Sequence, residues 1–193
     1  MTPAGVDRFV AGGAAQVVAF AWGFAEATLF FLLPDVFLTA LAARNLHAAV
    51  RATLSALAGA LLGGTLMYAC GHAAPERARA LLDAVPAVSP ALLASVRAQL
   101  DAHGLLAMAL GPVRGTPYKI YAVEWEARGG SLPAFLLVSV PARWLRFVLT
   151  TVAAAGAMRL LAPWTGRRPR VELALVGLAW AVVYAAYFAH FSW

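Results

Sequence analysis

The sequence predicts an all-α integral membrane protein, a single membrane domain over 1–193. It should combine two re-entrant (broken) helical hairpins in an inverted repeat with spanning helices and surface amphipathic helices. Three observations lead there. Hydrophobic residues make up 62% of the 193 and charged residues only 12%, with a mean hydropathy of +0.75, whereas a soluble domain carries about 25% charged residues. The apolar residues fall into long runs joined by short links, leaving no room for a soluble domain. Two of those runs are interrupted by proline and glycine at corresponding places in the two halves.

The first broken run, 9–43, is longer than the roughly 20 residues one span needs and short for two. Pro34 removes a backbone donor and clashes with the preceding turn, so a helix should break or kink there. Residues 44–51 read as a polar link and 52–71 as a clean span. Within it Gly59 and Gly63, then Ala60 and Gly64, form small-xxx-small pairs that allow close helix contact. Charges and prolines return over 75–103. Ser89-Pro90 is a helix-start pair, after which Leu93, Val96 and Leu100 share one face and Arg97 and Asp101 another, the pattern of surface amphipathic helices.

The second broken run, 105–125, contains Gly111-Pro112 and Gly115-Thr116-Pro117, which rule out a continuous helix; Thr116 can cap a new one with Pro117 at its first position. A long apolar helix follows over 131–161, with a kink expected at Pro141. A basic loop, 159–170, leads to the last span, 171–191. Trp180, Tyr184 and Tyr187 share a face of that span, and Trp193 suits a membrane interface.

The opening residues lack a basic n-region and a clear cleavage site, so a removable signal peptide is not expected. Cys70 is the only cysteine. The net charge of +6 comes mostly from arginine and in such a chain points to topology and lipid headgroups, not nucleic acid. His47, His72, His103 and His190 show no metal-ligand spacing, no nucleophile elbow is present, and neither a cofactor nor an enzymatic activity is expected.

At this point the residues resemble a family. Glu26 and Asp35 have the spacing of the two acids that flank a Pro/Gly-rich break in the DedA family of bacterial membrane proteins, within the superfamily sharing the VTT (SNARE-associated) domain. Residues 59–72, GALLGGTLMYACGH, follow that family's Gly-Ala-x-x-Gly-Asp-x-x-x-Tyr-x-x-Gly-Arg, departing at Gly64 and His72. Gly111-Pro112-Val113-Arg114 is similar to its Pro-Gly-Val-Arg, and an earlier family arginine falls on Met108. The resemblance spans roughly residues 15–160. It implies a divergent member in the bacterial cytoplasmic (inner) membrane, moving a phosphate-bearing lipid such as undecaprenyl phosphate, with protons as a second partner.

The residues themselves supply candidates for such a site. A carboxylate at membrane depth is costly and seldom kept without a task. Glu26 is a proton-titrating candidate, or else a permanent ion-pair partner of Arg143 or Arg146. Asp35 is either a site acid or a plain helix cap. Arg114 and Lys119 sit at the second break, where a cation opposes the helix dipole and calls for a carboxylate or a lipid phosphate; the other reading is snorkelling to headgroups. Arg143 and Arg146, three apart in a long apolar helix, need acids, water or phosphate. Tyr118 and Tyr121 are weaker candidates for hydrogen bonding nearby, and Glu124, Glu126 and Arg128 are expected at the membrane surface. The leading expectation is a flippase or scramblase in which phosphate competes with the acids for the arginines and drives proton uptake. A proton-coupled transporter of a small ion or solute, and a non-transporting scaffold, are the alternatives. A homo-oligomer is compatible with each.

Overall fold

The computed structural model describes residues 9–10, 12–86, 88–111, 116–166 and 168–190, which are helical and contain no strand. Pro112, Val113, Arg114 and Gly115 of the second break lie outside the described residues, as does Trp193. Three helices, Leu46–Ala73, Leu132–Thr165 and Pro169–Ala189, are long and apolar enough to cross a bilayer, so this is a membrane protein.

Helix α1 (Gly13–Thr28) ends well before Pro34. The Thr28 hydroxyl donates to the carbonyls of Phe24 and Ala25 at 3.0 Å each, a local bond that competes with helix propagation. A non-helical stretch follows, and α2 (Asp35–Ala42) starts directly behind Pro34, whose φ of −58° suits a helix start. The proline therefore opens the second arm of the hairpin; the turn before it is the break. Asn45 caps α3 (Leu46–Ala73), its side chain accepting from the Ala48 N–H at 3.0 Å. The expected 44–51 link thus shrinks to a few residues.

Next come α4 (Pro75–Asp83) and α5 (Pro90–His103), the latter capped by Ser89, which accepts from the Leu92 N–H at 3.2 Å. Leu82, Leu93, Val96 and Leu100 are buried with Met108, Ile120, Tyr121 and Val123 in one core cluster. The apolar faces of these two helices are thus packed on the second broken run. That run forms α6 (Leu106–Leu110) and α7 (Tyr118–Glu126). Pro117, with ψ 131°, is still extended, so the helix begins one residue later than Thr116-Pro117 suggested and no side chain caps it.

Helix α8 (Leu132–Thr165) continues unbroken through Pro141 and Pro163 for 34 residues, about 51 Å. It stops at Gly166, left-handed at φ 59°, where a glycine carries no Cβ penalty. Helix α9 (Pro169–His190) follows almost at once. The expected basic loop is therefore mostly helix: Arg159 belongs to α8 and Arg170 to α9.

Contacts fix the directions. The Ser55 hydroxyl donates to Gln16 Oε1 at 2.8 Å, a Cβ on Gly59 would strike the Phe20 carbonyl, and one on Gly63 would crowd Phe24 and Ala27. Helix α1 therefore runs parallel to α3, and α2 brings the chain back to the Leu46 end. Tyr118 lies against Gly64 and Val123 against Gly71, so α7 runs toward the Ala73 end. Helix α8 runs antiparallel to α3, reaching the recess that Arg159 shares with Arg44 and Glu172.

Candidate functional site

The site forms where the first broken run meets α7 and α8. The lone acids of the first run each find an arginine of α8. Glu26, 3% exposed, accepts from Arg143 Nη2 in a buried ion pair. One turn along, Arg146 Nη2 donates to Asp35 Oδ2 at 2.7 Å, and the Thr150 hydroxyl donates to Asp35 Oδ1 at 2.7 Å. Asp35 makes no cap hydrogen bond, so the capping reading gives way: α8 takes both carboxylate oxygens.

The guanidinium of Arg143 also lies 4.3 Å over the Tyr118 ring and 5.2 Å from the Phe147 ring, and that of Arg146 lies 5.1 Å from Phe147. Such contacts strengthen when desolvated. Tyr118 in turn donates to Ser139 Oγ at 2.9 Å and stacks on Phe135 at 5.2 Å. Gly64 and Met108, two of the positions where the sequence departs from the motifs it resembles, have packing counterparts. A Cβ on Gly64 would collide with the Tyr118 ring, leaving no space for an acid there. Met108 is buried, and Ser139 Oγ lies 3.6 Å from its sulfur.

Lys119 reaches across from the second run. Its ammonium, on a residue 1% exposed, donates to the Phe30 carbonyl at 2.7 Å. No carboxylate among the described residues lies within ion-pair distance of it, so snorkelling to the surface does not describe this lysine. Arg143 Nε and Arg146 Nε are buried without a hydrogen-bond partner. Glu26, Asp35, Lys119, Arg143 and Arg146 all line one cavity of about 900 Å³, whose remaining wall is mostly apolar. Among the described residues three cations there face two carboxylates. Arg114, the other candidate, lies outside the described residues.

The expected surface group departs in detail. Glu124 is 1% exposed and accepts from Arg97 at 3.0 Å, Arg79 at 3.2 Å and Arg128 at 3.3 Å. Burial alone would raise its carboxyl pKa, but the hydrogen bonds from Arg97 and Arg79 outweigh that and hold it below the ordinary carboxylate value. Arg128 also pairs with Asp101 at 2.8 Å, and Glu126 lies 2.8 Å from His72. Tyr121 donates to Gln99 at 2.9 Å. This network ties α4 and α5 to α7 and sits apart from the cavity charges.

Sequence reasoning missed several members. Thr150 could have been found, because Ser139, Arg143, Arg146 and Thr150 recur at helical spacing on one face of an otherwise apolar helix. The bonds from α9 are less legible: Trp180 Nε1 donates to Thr39 Oγ1 at 2.9 Å, and the Leu33 N–H donates to the Tyr184 hydroxyl at 2.8 Å. No family model, no curated protein and no solved structure matches the chain.

Proposed function

We propose that the protein is a divergent DedA-like carrier that moves a phosphate-bearing lipid, such as undecaprenyl phosphate, across a bacterial inner membrane, with proton uptake linked to binding. The two broken runs would act as re-entrant hairpins of an inverted repeat, entering from opposite faces. The family assignment rests on the sequence motifs alone. The observation that carries the function is the cavity: two buried cations, Lys119 and Arg143, and the partly buried Arg146 against two buried carboxylates, within a largely apolar wall. A buried cation without a carboxylate is costly, and an anionic headgroup would relieve it while its tail remains in an apolar setting. Arginine grips phosphate in a bidentate fashion, and an incoming phosphate that takes Arg146 leaves Asp35 as a buried, uncompensated carboxylate that binds a proton.

The complete pairing of Glu26 with Arg143 and of Asp35 with Arg146 favours a second reading, a non-transporting scaffold braced by buried ion pairs. A proton-coupled carrier of small ions would use the same acids. Binding and flipping of a fluorescent alkyl phosphate in reconstituted vesicles separates them. Lys119→Gln and Arg146→Ala should each weaken binding by about tenfold or more, and proton uptake should accompany binding in the wild type. Arg114→Ala should abolish binding and Arg114→Lys restore it in part. Unchanged binding in all of these variants would remove the phosphate site and leave the scaffold and ion-carrier readings.

A further inference from the structure

We propose that the recess at the Leu46 end is a second binding site, one that holds the headgroup of an ethanolamine phospholipid, with Glu172 taking the ammonium and Arg159 the phosphate. The recess has a volume of about 560 Å³, and Arg44, Arg159 and Glu172 line it together with an apolar wall that includes Leu46, Ala155 and Met158. Glu172 is only 9% exposed, yet among the described residues nothing donates to its carboxylate or pairs with it, the neighbouring Arg168 and Arg170 included. The dipole at the start of α9 favours an acid there, but it returns far less than the loss of hydration costs. Arg159 lines the same recess and likewise makes no hydrogen bond or ion pair among the described residues. Opposite charges thus border one space without joining, and a ligand that bears both satisfies them together.

Charge and shape narrow the ligand. A bare anion suits the arginines but is repelled by Glu172, and a bare cation meets the reverse. A phosphate joined to an ammonium matches both sides, since arginine grips phosphate in a bidentate fashion and a primary ammonium brings three N–H donors to a carboxylate. A quaternary ammonium brings none and is held by aromatic cages; no aromatic side chain among the described residues lines the recess. Position favours a lipid over a soluble phosphoamine. The recess lies where α3 begins, α8 ends and α9 begins, and these are the three helices long and apolar enough to span a bilayer. Next to Arg159 the surface of α8 carries Leu160, 79% exposed, and Trp164, 87% exposed. A tryptophan at the end of a span sits at headgroup level, and the leucine offers an apolar surface to the acyl chains. Arg159 lies 13 residues beyond Arg146 on α8, roughly 20 Å along the axis, so this site is separate from the central cavity and stands whether or not that cavity moves a lipid.

The test titrates the full chain in detergent with dioctanoyl phosphatidylethanolamine, phosphatidylcholine or phosphatidylglycerol and counts bound lipid by native mass spectrometry. Phosphatidylethanolamine should bind about tenfold or more tightly than phosphatidylcholine, and Glu172→Gln and Arg159→Gln should each remove that preference. Glu172→Gln should at the same time strengthen phosphatidylglycerol binding severalfold, because the repelling carboxylate is gone. Arg159→Lys, which keeps the charge, should retain most of the binding, and circular dichroism checks that each variant is folded. Equal affinity for the ethanolamine and choline lipids overturns the site, as does phosphatidylethanolamine binding that Glu172→Gln leaves unchanged. Phosphatidylglycerol binding as tight as that of phosphatidylethanolamine in the wild type would make the recess a plain basic patch and also overturns it. Binding that Arg146→Ala removes and Glu172→Gln does not belongs to the central cavity and counts against the recess. Free phosphoethanolamine should compete about a hundredfold more weakly than the lipid, lacking the buried tail; equal competition would overturn the lipid assignment in favour of a soluble phosphoamine.

Discussion

Glu26 and Arg143 lie together out of water, where removing one charge is far worse than removing both. Glu26→Ala should therefore cost about 3–5 kcal/mol, whereas Glu26→Leu with Arg143→Met should cost much less. Unfolding midpoints in detergent measure this; a double variant as unstable as the sum of the two single variants would show that the charges are not coupled. The double variant also separates fold from function, since a carrier should then keep its fold and lose flipping. Glu26, Arg143 and Arg146 are visible in the sequence because a charge inside an apolar run has few reasons to be there. The role of Asp35 is not. A residue just past Pro34 satisfies every local rule for a cap, and only the approach of α8, more than 100 residues away in sequence, turns its carboxylate elsewhere. The Lys119 bond to a backbone carbonyl 89 residues away leaves no trace in side-chain pattern at all.

Helices and breaks are legible where proline, glycine and caps act locally. Ser89-Pro90, the end of α6 at Leu110 just before Gly111 and the start of α2 at Pro34 follow from backbone chemistry, and the glycines of α3 announce close packing that the Phe20 carbonyl against Gly59 confirms. Helix ends were harder. Arginines at 159–170 read as a loop, yet α8 runs on past Gly156 and Pro163 to Thr165 and ends only at the left-handed Gly166. The apolar faces of α4 and α5 have the same pattern whether they meet lipid or protein, so periodicity could not show that they cover the second run. The clamp that holds them there has a pH signature. The carboxyl of Glu124 titrates below its ordinary value of 4.5, so its stabilising contribution is fully present above that pH. It is lost as the pH falls through the depressed value. Thermal stability of the wild type should thus fall below about pH 4.5. Glu124→Gln should lose about 2 kcal/mol at neutral pH and show a flatter acid limb. An equal acid limb in both proteins would rule out Glu124 as its source.

Across the whole molecule, the directions of α3, α8 and α9 fix which loops share a face. The recess lined by Arg44, Arg159 and Glu172 brings the α2–α3 link and the α8–α9 turn to the Leu46 end, and Arg51, Arg168 and Arg170 lie at the same end. The opposite end holds Arg77, Arg79, Arg97 and Arg128 among the described residues, and the last three are tied into ion pairs with Glu76, Glu124 and Asp101. Arginines near the ends of spans bias orientation toward the cytoplasm, and those held in a folded acid-rich cluster have their charge locally balanced. The Leu46 end should therefore be cytoplasmic. Helix α9 starts at that end, and its Trp180 and Tyr184 climb past Thr39 and then Leu33, so the chain beyond His190 should emerge on the other side. A phosphatase reporter fused after Trp193 should be active outside the cytoplasm, and a fluorescent-protein fusion at the same point should stay dark. A bright fusion with an inactive phosphatase would reverse the orientation.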